Sequence, residues 1–231
     1  MRNLHLNLIT QIIFVIAFAL PGVCSGQSKM LYDQQYDGEV YYRIKTTHIS
    51  SVSHLPVKIQ INITGYLKQA LGCMYDSISF SHGQIVNLKK NFKHDTAVYR
   101  QEWIAPKYDL SFLLHDKSIG IKNYYIKIQM DEFGQIIFSN WPRRWFSDRQ
   151  KLSQLDEIEK IALKIADQKK YEIQGYTVEL EYDSKSDRLF WCFCFPRELK
   201  GTYNSYNVVL IDWNNHTVID DSNIREIGVS Y

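Results

Sequence analysis

The stretch that most constrains the fold is Tyr206-Asn207-Val208-Val209-Leu210-Ile211-Asp212-Trp213-Asn214-Asn215-His216-Thr217-Val218-Ile219. An apolar, β-branched run stops at Asp212, polar turn-formers follow, and Thr-Val-Ile resumes the apolar character, which reads as strand, tight turn, strand. Asp and Asn suit the reversal because their short side chains bond nearby backbone amides and tolerate positive φ, expected here at the Asn214-Asn215 pair. The same outline occurs in Tyr125-Ile126-Lys127-Ile128-Gln129-Met130-Asp131-Glu132-Phe133-Gly134-Gln135-Ile136-Ile137. Each Asp-led hairpin is therefore read as closing one structural unit. A duplication would explain the echo, yet two such hairpins can arise independently, and only the second half shows a helix ahead of its strands.

That helix is written in the spacing after Ser153. Leu155, Ile158, Ala162, Ile165 and Ala166 recur at helical period, and Ile161 widens the stripe. Ser153-Gln154-Leu155-Asp156 has the form of a capping box with Asp in the place of Glu. Asp156 and Glu157 lie at the N-terminal end and Lys169-Lys170 at the C-terminal end, as the helix dipole prefers. Three strands follow. Tyr176, Val178, Leu180 and Tyr182 alternate with polar residues, Asp183-Ser184-Lys185-Ser186-Asp187 turns the chain, and residues 189–195 return as a run apolar on both faces. Such a strand belongs in the centre of a sheet. Pro196 is expected to end it, residues 197–201 to form a loop, and the Asp212 hairpin to complete the set.

Residues 38–138 read as strand after strand. Val57-Lys58-Ile59-Gln60-Ile61-Asn62-Ile63-Thr64 alternates without error, predicting a half-buried antiparallel strand with one wet face. Val40, Tyr42 and Ile44 supply a similar stripe, and Ser81-His82-Gly83 looks like a turn before Gln84-Ile85-Val86-Asn87-Leu88. Residues 98–103, 108–114 and 121–130 complete the run. The reading is an antiparallel β-rich region over 27–140, a linker over 141–152, and a helix-plus-sheet region over 153–231. The fold class is α+β, the helix packed on a three- to four-stranded antiparallel sheet.

The first 26 residues read as a signal peptide. Arg2 gives a positive start, residues 12–20 are unbrokenly apolar, Pro21-Gly22 breaks the helix, and Cys24-Ser25-Gly26 offers small residues for cleavage after Gly26. The run is short for a bilayer span, which needs about 20 apolar residues; an uncleaved membrane anchor is the alternative. The expected location is therefore secreted or periplasmic, with no membrane span after cleavage. Setting Arg2 aside, 26 of the 27 basic residues remain against 25 acidic ones. That balance gives no reason to expect nucleic acid as a partner, because phosphate binding needs a basic surplus or a clustered basic face.

Export permits disulfides. Beyond Cys24 the chain has Cys73, Cys192 and Cys194. In a strand the last two share a face with Cα atoms roughly 6.6 Å apart, near the outer limit for a disulfide. Either could instead reach Cys73. The residue type favours a third arrangement, all three as small buried apolar side chains.

Chemistry is sparse. None of the His residues stands in a His-Glu-x-x-His or His-x-His pattern, no cysteine pair has zinc spacing, and there is no Gly-x-Ser-x-Gly elbow or phosphate-cradling glycine loop. No catalytic residue, metal ligand or cofactor is assigned. Trp141-Pro142-Arg143-Arg144-Trp145-Phe146 is the one local cluster of rings with basic residues. Trp141, Arg143, Arg144 and Trp145 are candidate ligand-binding residues, through stacking and bidentate hydrogen bonds to an anionic or sugar-like molecule. Packing of the rings between the two halves is the plainer use.

Ile161-Ala162 within the helix, Tyr176-Thr177-Val178-Glu179-Leu180 after it and the closing Asp212 hairpin with Val218-Ile219 together resemble the PepSY type of domain, over about residues 156–220. The resemblance implies a small α+β module of secreted and envelope proteins, of a kind thought to restrain peptidases or to bind envelope partners. The resulting expectation is an exported, non-enzymatic binding or inhibitory module that recognises a secreted or envelope protein or peptide. The sheet edge beside the last hairpin is a natural place to add a partner strand. The alternatives are an envelope hydrolase with a cleft between the halves, and a small-ligand carrier using the Trp-Arg cluster.

Overall fold

The computed structural model describes residues 46–94, 106–142, 154–200 and 203–228. Two antiparallel sheets dominate them, so the chain is α+β. The first sheet has the order β1-β2-β3-β4-β5, with β1 Thr47–Ile49, β2 Ile78–Ile85, β3 Tyr108–Asp116, β4 Ile121–Met130 and β5 Ile136–Ser139. The second has the order β6-β7-β8-β9, with β6 Thr177–Asp183, β7 Arg188–Lys200, β8 Tyr203–Asp212 and β9 Val218–Gly228. Helix α1 (Val57–Leu71) precedes β2, a short α2 (Leu88–His94) lies between β2 and β3, and α3 (Leu155–Lys169) precedes β6.

The strand expected over residues 57–64 is therefore the first half of a helix. Over eight residues the alternation mimics a strand, but over fifteen the buried side chains Ile59, Ile63, Tyr66, Leu67, Ala70 and Leu71 fall at helical spacing. The other apolar residues of the apparent strand face water, Val57 at 70% and Ile61 at 66% exposure. β-Branched residues are only weak helix breakers, and burying each large apolar side chain is worth about 1.5–3 kcal/mol, enough to override local propensity. Pro56 stands at the N-cap, and Gly72, at φ 53°, ends the helix. Gly65, read as punctuation, sits mid-helix with open space around it. The N-terminal region is thus not uninterrupted β, and the second half is not alone in having a helix ahead of its strands.

Ser81-His82-Gly83 lies inside β2 and is not a turn. The register shifts between Phe80 and His82, so Ser81 is the extra residue of a bulge. Residues 121–130 are the expected strand, and residues 108–114 are extended by two. In the second sheet, β7 is central and buried from Leu189 to Phe195. It runs through Pro196 to Lys200 instead of ending there. Pro196 is tolerated because β6 pairing stops at Cys194 and a bulge follows between Pro196 and Glu198. The residue at the N-cap of α3 is Gln154, which makes no side-chain capping bond. Ser153 and the stripes at 40–44 and 98–103 lie outside the described residues.

The inner faces of both sheets and all six buried positions of α1 belong to one continuous apolar core, which also takes in Ile158, Ala162 and Ala166 of α3. Gly120 (φ 85°) shows how closely the halves approach: a Cβ there would lie 2.3 Å from Leu155 Cβ.

Candidate functional site

Along β3, Tyr108, Leu110, Phe112 and Leu114 point into the core while Asp109 and Ser111 point out. Along β4, Ile126, Ile128 and Met130 point in, Tyr125 and Lys127 point out, and Gln129, on the same face as these two, is fully buried. The β2 bulge completes the outer face. It leaves Phe80 inside, edge-on to Phe112 at 5.4 Å, and turns His82 and Gln84 outward opposite Ser111 and Asp109. Gly83 must then face inward, where a Cβ would meet Leu110 at 2.9 Å and Ile49 at 3.0 Å. A slip of one residue in this strand would bury the His and Gln and expose the apolar side chains.

The result is a polar depression of about 550 Å³ on the outer face, lined by Ser81, His82, Gln84, Asp109, Leu110, Ser111, Tyr125, Lys127 and Asn140. Asn140 forms a fixed wall. Its Oδ1 accepts from the Lys127 amide at 2.7 Å, and its Nδ2 donates to the Tyr125 carbonyl at 2.9 Å. The Thr46 hydroxyl donates to Gln84 Oε1 at 2.7 Å, and Ser81 Oγ lies 3.0 Å from His82 Nδ1. Burial raises the Asp109 carboxyl above its ordinary range, opposed by the Lys127 ammonium, a hydrogen bond with Gln129 and His82. A carboxyl, an ammonium, an imidazole and hydroxyls thus converge on one site, a set suited to gripping polar groups of a ligand.

Between the halves the space is filled. Trp141 is fully buried, with its indole 6.2 Å and near-perpendicular to Trp213, which in turn lies 6.1 Å from Trp191. Tyr124 packs on Trp141 at 5.9 Å, and Trp141 Nε1 donates to the Ala70 carbonyl at 2.9 Å. Of the four residues expected to bind a ligand, Trp141 is therefore a packing residue joining α1, β4 and the turn after β8. Arg143, Arg144 and Trp145 lie outside the described residues.

Both Asp-led hairpins form, and both Asp side chains hold their turns. Asp131 Oδ1 accepts from the amides of Phe133 (2.9 Å) and Gln135 (2.8 Å). Asp212 Oδ1 accepts from those of Asn214 (2.8 Å) and Asn215 (3.2 Å), and its Oδ2 lies 3.1 Å from Arg188 Nη1. Positive φ falls on Gly134 (86°) and on His216 (58°), not on the Asn214-Asn215 pair.

The outer face of the second sheet differs. Cys192 and Cys194 are buried there with Val208, their sulfurs 3.6 Å apart. Cys73 is exposed, which corrects the expectation that all three thiols are buried, and it pairs with neither of the others. Among the described residues no group of three or more His, Cys, Asp or Glu is placed to hold a metal ion, and no helix is long and apolar enough to cross a membrane.

The depression was hidden in the sequence because its residues come from β2, β3 and β4 and meet only through the register. The alternation of Asp109-Ser111 and of Lys127-Gln129 was the available signal, and reading 81–83 as a turn removed His82 from it. No family model matches the chain, and comparison with curated proteins and with solved structures returns no match.

Proposed function

We propose that the chain is an exported, non-enzymatic binding or inhibitory module that recognises a secreted or envelope protein or peptide. Its recognition surface is the polar outer face of the first sheet. The observation that carries this reading is the convergence of Asp109, Lys127, His82 and Ser111 on one open depression borne by rigid strands. An extended peptide offers backbone N–H and C=O groups and side-chain charges that such donors and acceptors can satisfy. The indole-filled junction supports binding over a hydrolase working in a cleft between the halves. The PepSY resemblance, carried by Ile161-Ala162, Tyr176-Thr177-Val178-Glu179-Leu180 and the Asp212 hairpin, supports the same reading, and the module would be of that kind.

A second reading adds a partner strand to β9, an edge strand of eleven residues with Ile219 and Ile224 about half exposed. Selection of peptides from a displayed library on residues 27–231, followed by titration against variants, separates the two. Peptides lost on Lys127→Ala and Asp109→Asn but kept on Ile224→Lys support the first-sheet surface. The opposite pattern assigns recognition to β9, and cleavage of selected peptides would replace both with the hydrolase.

A further inference from the structure

We propose that Cys192 and Cys194 form a gated dithiol site that exchanges with small-molecule disulfides and closes to an intrastrand disulfide. The two residues lie on one face of the central strand β7, with sulfurs already at 3.6 Å. Both are buried, at 0% and 1% exposure. Tyr206 and Leu210 pack against them, and an ion pair crosses the same face. Arg225 of β9 reaches Glu181 of β6 with Nη1–Oε1 at 2.5 Å and Nη2–Oε2 at 3.0 Å, and Glu179 lies 3.7 Å from the same guanidinium. Since β7 and β8 lie between those strands, the pair spans the face that carries the thiols. Beside this cover a cavity of about 270 Å³ opens, lined among others by Glu181, Phe190, Leu210 and Ile219. Phe190 is two residues before Cys192 on β7, and Leu210 is opposite Cys192 and packs on the thiol cluster. A small disulfide entering the cavity is therefore one side-chain swing of Glu181 from the sulfurs.

The surroundings distinguish the two thiols. The hydrogen bond with Cys192, helped by Arg225, holds Cys194 below the ordinary thiol range against burial and the two glutamates. Cys192, at the other end of that contact, is pushed up by it and by burial. Cys194 is assigned as the attacking sulfur, and the same exchange begun at Cys192, the thiol nearer the cavity, gives the same products. The Cys194 thiolate attacks one sulfur of R–S–S–R, forming Cys194–S–S–R and expelling RS⁻. Cys192 then attacks the Cys194 sulfur and expels the second RS⁻. Two protons pass from the cysteines to the leaving thiolates, so two protein thiols are oxidised and one external disulfide is reduced to two thiols. Residues two apart in a strand have Cα atoms roughly 6.6 Å apart, at the outer edge of the disulfide range. The closed form is accordingly strained and readily reduced.

The test treats the reduced, folded chain with 2-hydroxyethyl disulfide, quenches with acid, alkylates and digests with trypsin. Cleavage after Arg188 and Arg197 isolates residues 189–197, which hold both thiols and no other cysteine. Expected is loss of two hydrogens from this peptide with no alkylation, while exposed Cys73 carries an adduct as the internal control. Cys192→Ser should stop at an adduct on Cys194, and Arg225→Lys, which keeps the positive charge but loses the two-pronged grip on Glu181, should close several-fold faster, with circular dichroism checking that each variant is folded. Full alkylation of 189–197 in the native wild-type chain, with closure only in urea, overturns the site. Equal rates in wild type and Arg225→Lys overturn the gate, and an adduct in Cys194→Ser but not in Cys192→Ser overturns the assignment of the attacking sulfur.

Discussion

Apart from β1 and α2, which belong to the first half alone, the two halves share an order of one helix and four antiparallel strands with an Asp-led hairpin between the last two, and they differ on the faces that look outward. The first sheet gathers Asp109, Ser111, Lys127 and His82 around an open depression on its outer face, Ser111 buried at its floor. The second keeps Cys192, Cys194 and Val208 buried against Tyr206 and Leu210, with an Arg225–Glu181 ion pair on the same face. The inner faces have no such freedom, because both contribute to one shared core and any change there is felt by both halves. The contrast separates what the architecture demands from what it leaves open: inward residues and turn aspartates serve the fold, and the outer faces carry whatever distinguishes the halves.

The largest expected effect lies where the halves meet. Trp141→Ala and Trp213→Ala each empty a fully buried site and should cost about 3–5 kcal/mol in urea unfolding. Trp141→Ala also strands the Ala70 carbonyl. A loss below about 1 kcal/mol at either position would show that the junction is not a shared core.

Next comes the pair of hairpins. Asp212 is buried and holds two amides and Arg188, so Asp212→Ala should cost about 2–4 kcal/mol. Asp131 is half-buried and holds two amides, so Asp131→Ala should cost about 1–2 kcal/mol. Chemical denaturation of the two variants in parallel gives the order; a reversed order would break the equivalence drawn between the turns.

The glycines give a smaller, graded comparison. Gly120→Ala adds a Cβ against Leu155 at positive φ and should cost about 2–3 kcal/mol. Gly175→Ala has a similar φ of 73° but open space, and should cost about 1 kcal/mol. Thermal unfolding distinguishes them, and equal losses would mean that φ alone matters and that the approach of the halves at Gly120 is loose.

The smallest effect concerns Asp109. Its carboxyl is raised by burial, so the native state holds the proton more tightly than the unfolded chain. Stability contributed by the protonated form is present below the ordinary carboxylate range and is lost as pH rises through the raised value. Asp109→Asn should therefore be as stable as wild type in acid and slightly more stable at neutral pH. Urea midpoints across that range check this; a variant less stable at neutral pH would show that Lys127 and Gln129 outweigh burial.

Much of the second half was legible. The stripe of α3, the alternation of β6, the two-sided apolar run of β7 and the turn at Asp212 are each local patterns, and each maps onto the element it suggested. The misreadings came from windows too short or signals too local. Eight alternating residues from Val57 look like a strand until Tyr66, Leu67, Ala70 and Leu71 extend the period to 3.6. Pro196 stops a central strand but not one whose neighbour on that side has already ended. The candidate site was the least legible part. Asp109, Lys127 and His82 are brought together by strand register and by the bulge at Ser81, neither of which leaves a contiguous mark in the chain.

The central claim, that recognition belongs to the outer face of the first sheet, is most directly tested by calorimetric titration of one selected peptide against three forms of residues 27–231. Wild type and Arg188→Ala, a change on the outer face of the second sheet, should bind alike. Lys127→Ala should bind at least tenfold more weakly with its circular dichroism unchanged. Undiminished affinity in Lys127→Ala, or a loss confined to Arg188→Ala, would contradict it.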